Sequence, residues 1–116
     1  MNTDLIVTED KLEAICTGAF KQPDLVRVLD TIDDARARTP SIRKCIMDMT
    51  GADFELGGIG EFFVGEYAAK KLAGIRISLI IKHGQFNKLL ENAAYNRGLK
   101  ILLAESRTEA EAWLEK

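Results

Sequence analysis

The side chains best suited to chemistry gather around one strand-to-helix junction. Asp48 lies within an otherwise apolar run, Cys45-Ile46-Met47-Asp48-Met49. A carboxylate in such a run is costly unless it is hydrogen-bonded. It is either a functional acid with a raised pKa or a brace that accepts amides from the turn that follows. Beyond it come Thr50, the carboxylates Asp53 and Glu55, and glycines at 51, 57, 58 and 60. Carboxylate pairs can do acid–base work, but loop acids are usually solvated. Gly57-Gly58-Ile59-Gly60 could offer backbone amides to an anion at a helix start; alternatively it is a turn that needs positive φ and a close helix approach. It matches neither GxGxxG nor the P-loop, which needs a lysine and a hydroxyl after its last glycine.

His83, the only histidine, follows a second apolar run. It could bind a ligand, titrate near neutral pH, or simply bond a carbonyl at a strand end. With no Cys or carboxylate partner nearby in sequence it makes no catalytic pattern. The junction holds no serine, cysteine or lysine, and Thr50 at its entrance is its one hydroxyl. No nucleophile with a recognisable base, no metal-ligand cluster and no cofactor fingerprint is present. The expectation is therefore a protein that is not an enzyme, with no catalytic residue, metal or cofactor.

The elements that must position these residues follow from periodicity. Leu5 to Thr8 and Leu12 to Gly18 read as two strands joined by Glu9-Asp10-Lys11, which makes a hairpin. Gln22-Pro23-Asp24 starts a helix, with proline and an acid in its first turn. Leu25, Val28, Leu29, Ile32 and Ala35 form its apolar stripe, and Thr39-Pro40 ends it. Cys45 to Met49 is a central strand. A second helix, Glu61 to Leu72, carries Phe62, Phe63, Tyr67 and Leu72, with Gly74 as its C′ residue. Ile75 to Ile81 is the fourth strand. Phe86, Leu89, Leu90 and Ala93 mark a third helix that stops at Gly98, and Leu99 to Leu103 is the fifth strand. Thr108-Glu109-Ala110-Glu111 fits a capping box, ahead of a last helix that buries Ala110, Trp113 and Leu114. The order β-β-α-β-α-β-α-β-α argues for an α/β fold with a mostly parallel five-stranded sheet and right-handed crossovers.

That arrangement would bring Thr17–Pro23, Thr50–Gly60, His83–Gln85 and Glu105–Thr108 to one sheet edge, where open α/β sheets bind ligands. Phe62, Phe63, Phe86 and Trp113 have helix-face spacing and read as core. Adjacent Phe62 and Phe63 point about 100° apart on a helix, so one of them would be partly exposed. An exposed aromatic beside the glycine run would mark a partner or apolar-ligand surface.

Composition narrows the classes further. The 116 residues suit one domain, spanning residues 1–116. The hydrophobic share of 47% against 29% charged is that of a globular chain. A net charge of −2 gives no basic face for nucleic acid. The run Arg36, Arg38, Arg43 and Lys44 straddles a helix end, where cations favour the macrodipole. Cys16 and Cys45 fall in apolar runs without a CxxC spacing and read as buried free thiols of a reduced compartment. Residues Met1 to Asp10 show no signal-peptide pattern, and Ile75–Ile81 is far too short to cross a bilayer. A cytoplasmic protein with no membrane insertion is expected.

The order of elements, at this length, resembles the STAS domain shared by sulfate-transporter tails and anti-sigma-factor antagonists. Ile46-Met47-Asp48-Met49-Thr50 resembles that family's apolar-apolar-Asp-apolar strand end, and Phe54 through Tyr67 takes the place of its loop and second helix. The C-terminal Glu-Ala-Trp-Leu is similar to the tails of small stand-alone bacterial SpoIIAA-like proteins. The resemblance implies a regulatory protein-interaction module. In the antagonists an Asp-Ser-Ser-Gly motif before the second helix is phosphorylated by a partner kinase. Leu56-Gly57-Gly58 stands there in this chain, and glycine cannot host the roughly two negative charges of a phosphate.

The expected function is thus protein binding, with a protein partner or a second copy as a homodimer. The surface would comprise Thr50, Asp53, Glu55, Gly57, Gly58, Gly60 and Phe62, with Asp48 and His83 as a strand-end site. The rival is a binder of a small apolar ligand or lipid beneath the second helix, or of a nucleotide or anion. That rival rests on fold-level analogy alone.

Overall fold

The computed structural model describes residues 2–54, 56–85 and 88–116. Its order is β1 (Asn2–Thr8), β2 (Lys11–Phe20), α1 (Gln22–Arg38), β3 (Lys44–Phe54), α2 (Gly57–Lys71), β4 (Arg76–Ile80), α3 (Lys88–Asn96), β5 (Lys100–Ala104) and α4 (Arg107–Leu114). The five strands lie in chain order across one sheet. β1 is antiparallel to β2, and β2, β3, β4 and β5 are parallel. The expected fold class and strand directions are those observed.

Alternation along the strands divides the interior into two layers. Leu12, Ala14, Cys45, Met47, Ile77, Leu79 and Ile101 face α1, α2 and α3. Ile46, Ile80 and Ala104 face α4, meeting Ala110 and Leu114. Three successive crossovers that each step one strand in the same direction must lay their helices on one side if all are right-handed. α4 has no further strand to reach and closes the opposite face.

α1 buries Leu25, Val28, Leu29, Ile32 and Ala35, the stripe its spacing predicts. Its start is held by Asp24, whose carboxylate accepts the Lys21 backbone N–H at 2.8 Å. Its last turn does a second task. Arg36 donates to the Lys71 carbonyl at 2.9 Å and to the Ala73 carbonyl, filling acceptors left open at the end of α2.

β1 begins at Asn2, three residues before the expected Leu5, and two further elements depart from expectation. β3 does not stop at Met49 but runs to Phe54, pairing with β2 through Phe20↔Phe54. Between Ile15↔Asp48 and Thr17↔Gly51 the register slips, so Met49 and Thr50 together oppose Cys16. That is a β-bulge on β3. Hence residues 51–54 are strand, not loop.

α2 begins at Gly57, four residues before the expected Glu61, and its buried face is not aromatic. Gly60, Glu61, Val64, Gly65, Ala68 and Ala69 are inward, whereas Phe62 and Phe63 are exposed. The cause is the closeness of α3. A Cβ on Gly65 would overlap the Leu90 carbonyl oxygen and come within 3.0 Å of Ala93 Cβ. Only small side chains fit such an approach, so the large ones turn outward. Glycine's poor helix propensity made the Gly57–Gly60 run read as loop. The left-handed residue after α2 is Gly74 (φ +94°), two past the C-cap Leu72 rather than one.

Smaller corrections follow the same logic. The cap of α4 is Ser106, whose hydroxyl accepts from the Glu109 N–H at 3.1 Å. Glu109 in turn accepts from the Glu105 N–H at 3.0 Å. The box expected at Thr108 and Glu111 therefore sits two residues early. Trp113 is only half-buried, because its ring carries the Arg76 guanidinium 4.4 Å from its centroid. Leu90 and Ala93 are buried in α3 but Leu89 is exposed. Phe86 lies outside the described residues.

Cys16 and Cys45 are buried free thiols, as their apolar runs imply. Burial pushes the Cys45 thiol up to about 12 and raises Cys16 as well.

Gly65→Ala in an unobstructed helix would gain up to about 1 kcal/mol. Here it is expected to lose about 1–3 kcal/mol by overpacking against α3. Gly58→Ala meets only the exposed Leu89 side chain, at 3.2 Å, and is expected to be neutral or slightly stabilising. Urea midpoints of the two variants check the contrast. The buried thiols generate a pH prediction. An unfolded cysteine ionises near 9.0 while Cys45 resists to about 12. Its contribution is intact below pH 9 and is lost as pH rises through that window, by about 1.4 kcal/mol per pH unit. Urea unfolding at pH 8 and pH 10 should show the loss, and a thiol reagent should label neither cysteine until the chain unfolds.

Candidate functional site

The carboxyl ends of β2, β3, β4 and β5 open on one edge, and three groups of side chains occupy it. The first surrounds the bulge. Asp48 Oδ1 accepts the Thr50 hydroxyl at 2.7 Å and the Thr50 backbone N–H at 3.1 Å. The N–H that the bulge removes from the ladder is thereby satisfied. Asp48 is the brace that one of its two sequence readings described. Its second oxygen lies 3.9 Å from Arg107, which forks onto Glu13 at 2.8 and 2.9 Å. The bidentate pair joins the first turn of α4 to β2 across the sheet face.

The second group lies where β3 outruns β4. β4 ends at Ile80, opposite Asp48, so beyond that point the carbonyls of β3 that point away from β2 have no strand beside them. Gln85 takes the strand's place. Its amide donates to Met49 O at 2.8 Å and Ala52 O at 2.7 Å, while its oxygen accepts the Lys82 N–H at 2.9 Å. Sequence reading missed this role, and a lone Gln in a polar turn carries no signal of it. An open cleft of about 360 Å³ follows, lined by Asp53, Phe54, Lys82, His83 and Gln85. His83 is 91% exposed at its side chain, and its Nδ1 is 2.9 Å from Glu105 Oε2. Its partner is therefore a carboxylate from the next strand end rather than a backbone carbonyl. Asp48 and His83 have separate partners and form no common dyad.

The third group is apolar. Ile59 (89% exposed), Phe62 (47%) and Phe63 (44%) on α2 and Leu89 (43%) at the start of α3 are its members. The Leu89 methyl lies 3.2 Å from the position a Cβ on Gly58 would take, which joins the two helix starts into one patch. Phe63 stacks on Tyr67 at 6.1 Å between centroids, and the Tyr67 hydroxyl donates to Asp30 at 2.6 Å. That bond, with burial, raises the phenol pKa above its ordinary value.

Of the remaining predicted residues, Thr50, Asp53, Gly57 and Gly58 are exposed at this edge. Gly57 adopts φ +67°, the left-handed turn its type permits. Gly60 is buried, 3.1 Å from Leu56 Cβ were a Cβ added. Glu55 lies outside the described residues. Beneath α2, among Leu25, Leu29, Met47, Val64 and Leu90, there is a void of about 20 Å³. That holds one water-sized sphere, against roughly 300–1,000 Å³ for a small-molecule site. Among the described residues no group of three His, Cys, Asp or Glu side chains could hold a metal ion. No helix among them is long and apolar enough to cross a membrane.

No protein-family model and no curated protein matches the chain. Solved structures do match its fold. An uncharacterised protein of the DUF3478 family from Shewanella loihica PV-4, described as having a SpoIIAA-like fold, aligns over 97% of this chain and 92% of its own. Its TM-score is 0.59 and its identity 17%. The anti-sigma factor antagonist SpoIIAA in its unphosphorylated form aligns over 98% of both chains, with a TM-score of 0.56 and 15% identity. At so little sequence likeness these alignments carry the fold alone: the chain has the SpoIIAA-like fold.

Proposed function

We propose that this chain is a non-enzymatic regulatory module of STAS type that acts by binding a protein partner through the starts of α2 and α3. The observation that carries the reading is the apolar patch of Ile59, Phe62, Phe63 and Leu89. Large aromatic and aliphatic side chains grouped in the open supply the anchors of protein interfaces. Here their exposure is enforced by the Gly65 contact behind them rather than by weak packing. The patch adjoins the exposed backbone of Gly57 and Gly58 at the start of α2. The fold likeness to an anti-sigma factor antagonist supports a regulatory role at the level of analogy.

The mode of control differs from phosphorylation at the usual loop position. Leu56, Gly57 and Gly58 hold no acceptor hydroxyl. Two hydroxyls at the edge, those of Thr50 and Ser106, are engaged structurally. Thr50 donates to Asp48, so a phosphate there would face a carboxylate. Ser106 caps α4, its hydroxyl accepting the Glu109 N–H.

The test is a variant carrying Ile59→Lys and Phe62→Asp. Both side chains are exposed, so an unchanged melting temperature and circular dichroism spectrum are expected. Affinity for a protein captured by the wild-type chain should fall at least about tenfold, since one lost anchor costs more than about 1 kcal/mol. Equal affinity of the folded variant, measured by calorimetry, would refute this surface.

A further inference from the structure

We infer that β1 is a dimerisation edge, pairing antiparallel with β1 of a second copy to extend the sheet across a two-fold axis. The two edges of the sheet are treated differently. On β5 the Leu103 N–H is taken by the Glu91 carboxylate of α3 at 2.8 Å, so a side chain already occupies that edge. β1 is the other edge and has a strand on one side only. It is seven residues long, Asn-Thr-Asp-Leu-Ile-Val-Thr, without proline, glycine, lysine or arginine. Charged or proline residues and bulges are the devices that keep edges from pairing, and β1 has only Asp4.

Its side chains are exposed on both faces. Ile6 is 49% and Val7 44% exposed. Leu5 packs on the core shared with α1, α2 and α3, so Val7 shares its face and Ile6 lies on the other. On Ile6's face α4 packs on Ile46, Ile80 and Ala104 and reaches β2 through the Arg107–Glu13 pair beside Ile6, which itself stays 49% exposed.

A second copy is the occupant that this edge fits. A strand paired antiparallel with itself is two-fold symmetric, so the interface closes at two chains. Alternation of side chains allows registers centred on Asp4, Leu5 or Ile6. Centring on Asp4 would set two carboxylates face to face, which is destabilising. Centring on Leu5 would set Asp4 against Ile6. Centring on Ile6 sets Ile6 against its copy, Val7 against Leu5, and Asp4 against Thr8. That register covers both exposed aliphatic side chains and separates the only charges of the strand. It is independent of the α2 patch, which lies at the carboxyl ends of the parallel strands.

Sedimentation equilibrium of the full chain across micromolar to millimolar concentration tests the inference. The mass should rise from one chain to two, and Ile6→Lys, at an exposed position, should weaken association at least about tenfold. Ile59→Lys should leave it unchanged. Oxidised Ile6→Cys should give a disulfide-linked dimer and Asp4→Cys should not, since Cys16 and Cys45 are buried and do not compete. A single-chain mass at every concentration would overturn the proposal. A dimer that survives Ile6→Lys, or that is lost only with Ile59→Lys, would do so equally.

Discussion

The close passage of α2 over α3 at Gly65 is the constraint on which the functional surface depends. A backbone carbonyl of one helix occupies the place where a side chain of the other would stand. Apart from Glu61, the buried side chains of α2 are small or short: Gly60, Val64, Gly65, Ala68 and Ala69. The aromatic side chains on this helix have nowhere to go but outward or toward α1. Tyr67 takes the second route and anchors its hydroxyl on Asp30; Phe62 and Phe63 take the first. The apolar patch is thus a by-product of helix packing that the fold cannot remove without moving α2.

A second constraint fixes the edge from which that surface projects. Asp48 absorbs the amide freed by the bulge, and Gln85 supplies donors where β4 has ended. With both in place β3 can extend six residues past its last partner on β4, to within three residues of the start of α2. The other layer is fastened by arginines. Arg107 ties the beginning of α4 to Glu13, and Arg76 ties its end by donating to the Trp113 and Lys116 carbonyls at 2.9 and 2.6 Å. Each guanidinium reaches across elements far apart in sequence, which a helix of eight residues needs because its own apolar face is narrow.

Much of the fold was legible in the sequence because burial is periodic. The α1 stripe, the apolar strands and the order of elements need only hydrophobic spacing, and the parallel sheet follows from alternation of strands and helices. What was not legible depends on neighbours. Gly57 to Gly60 read as loop because intrinsic propensity says so, and tertiary contact with Leu56 and α3 overrode it. The aromatic residues of α2 read as core because hydrophobicity says so, and only the distance to α3 decides otherwise. The extension of β3 depends on a bulge and on Gln85, which is distant in sequence. The polar candidates fared unevenly for a similar reason. Asp48 could be read as a brace because its following amides are local, whereas the Glu105 partner of His83 arrives from another strand.

The left-to-right order of the strands across the sheet has a kinetic consequence. Every strand pairs with the one that precedes it in the chain, so no segment must wait for a distant one before it docks. Each crossover closes a loop little longer than one helix, and loop-closure entropy is correspondingly small at every step. For a parallel sheet, whose non-local pairing ordinarily slows assembly, this is the arrangement of lowest contact order. As the chain leaves the ribosome, the hairpin, α1 and β3 can already form a packed unit onto which later strands add one by one.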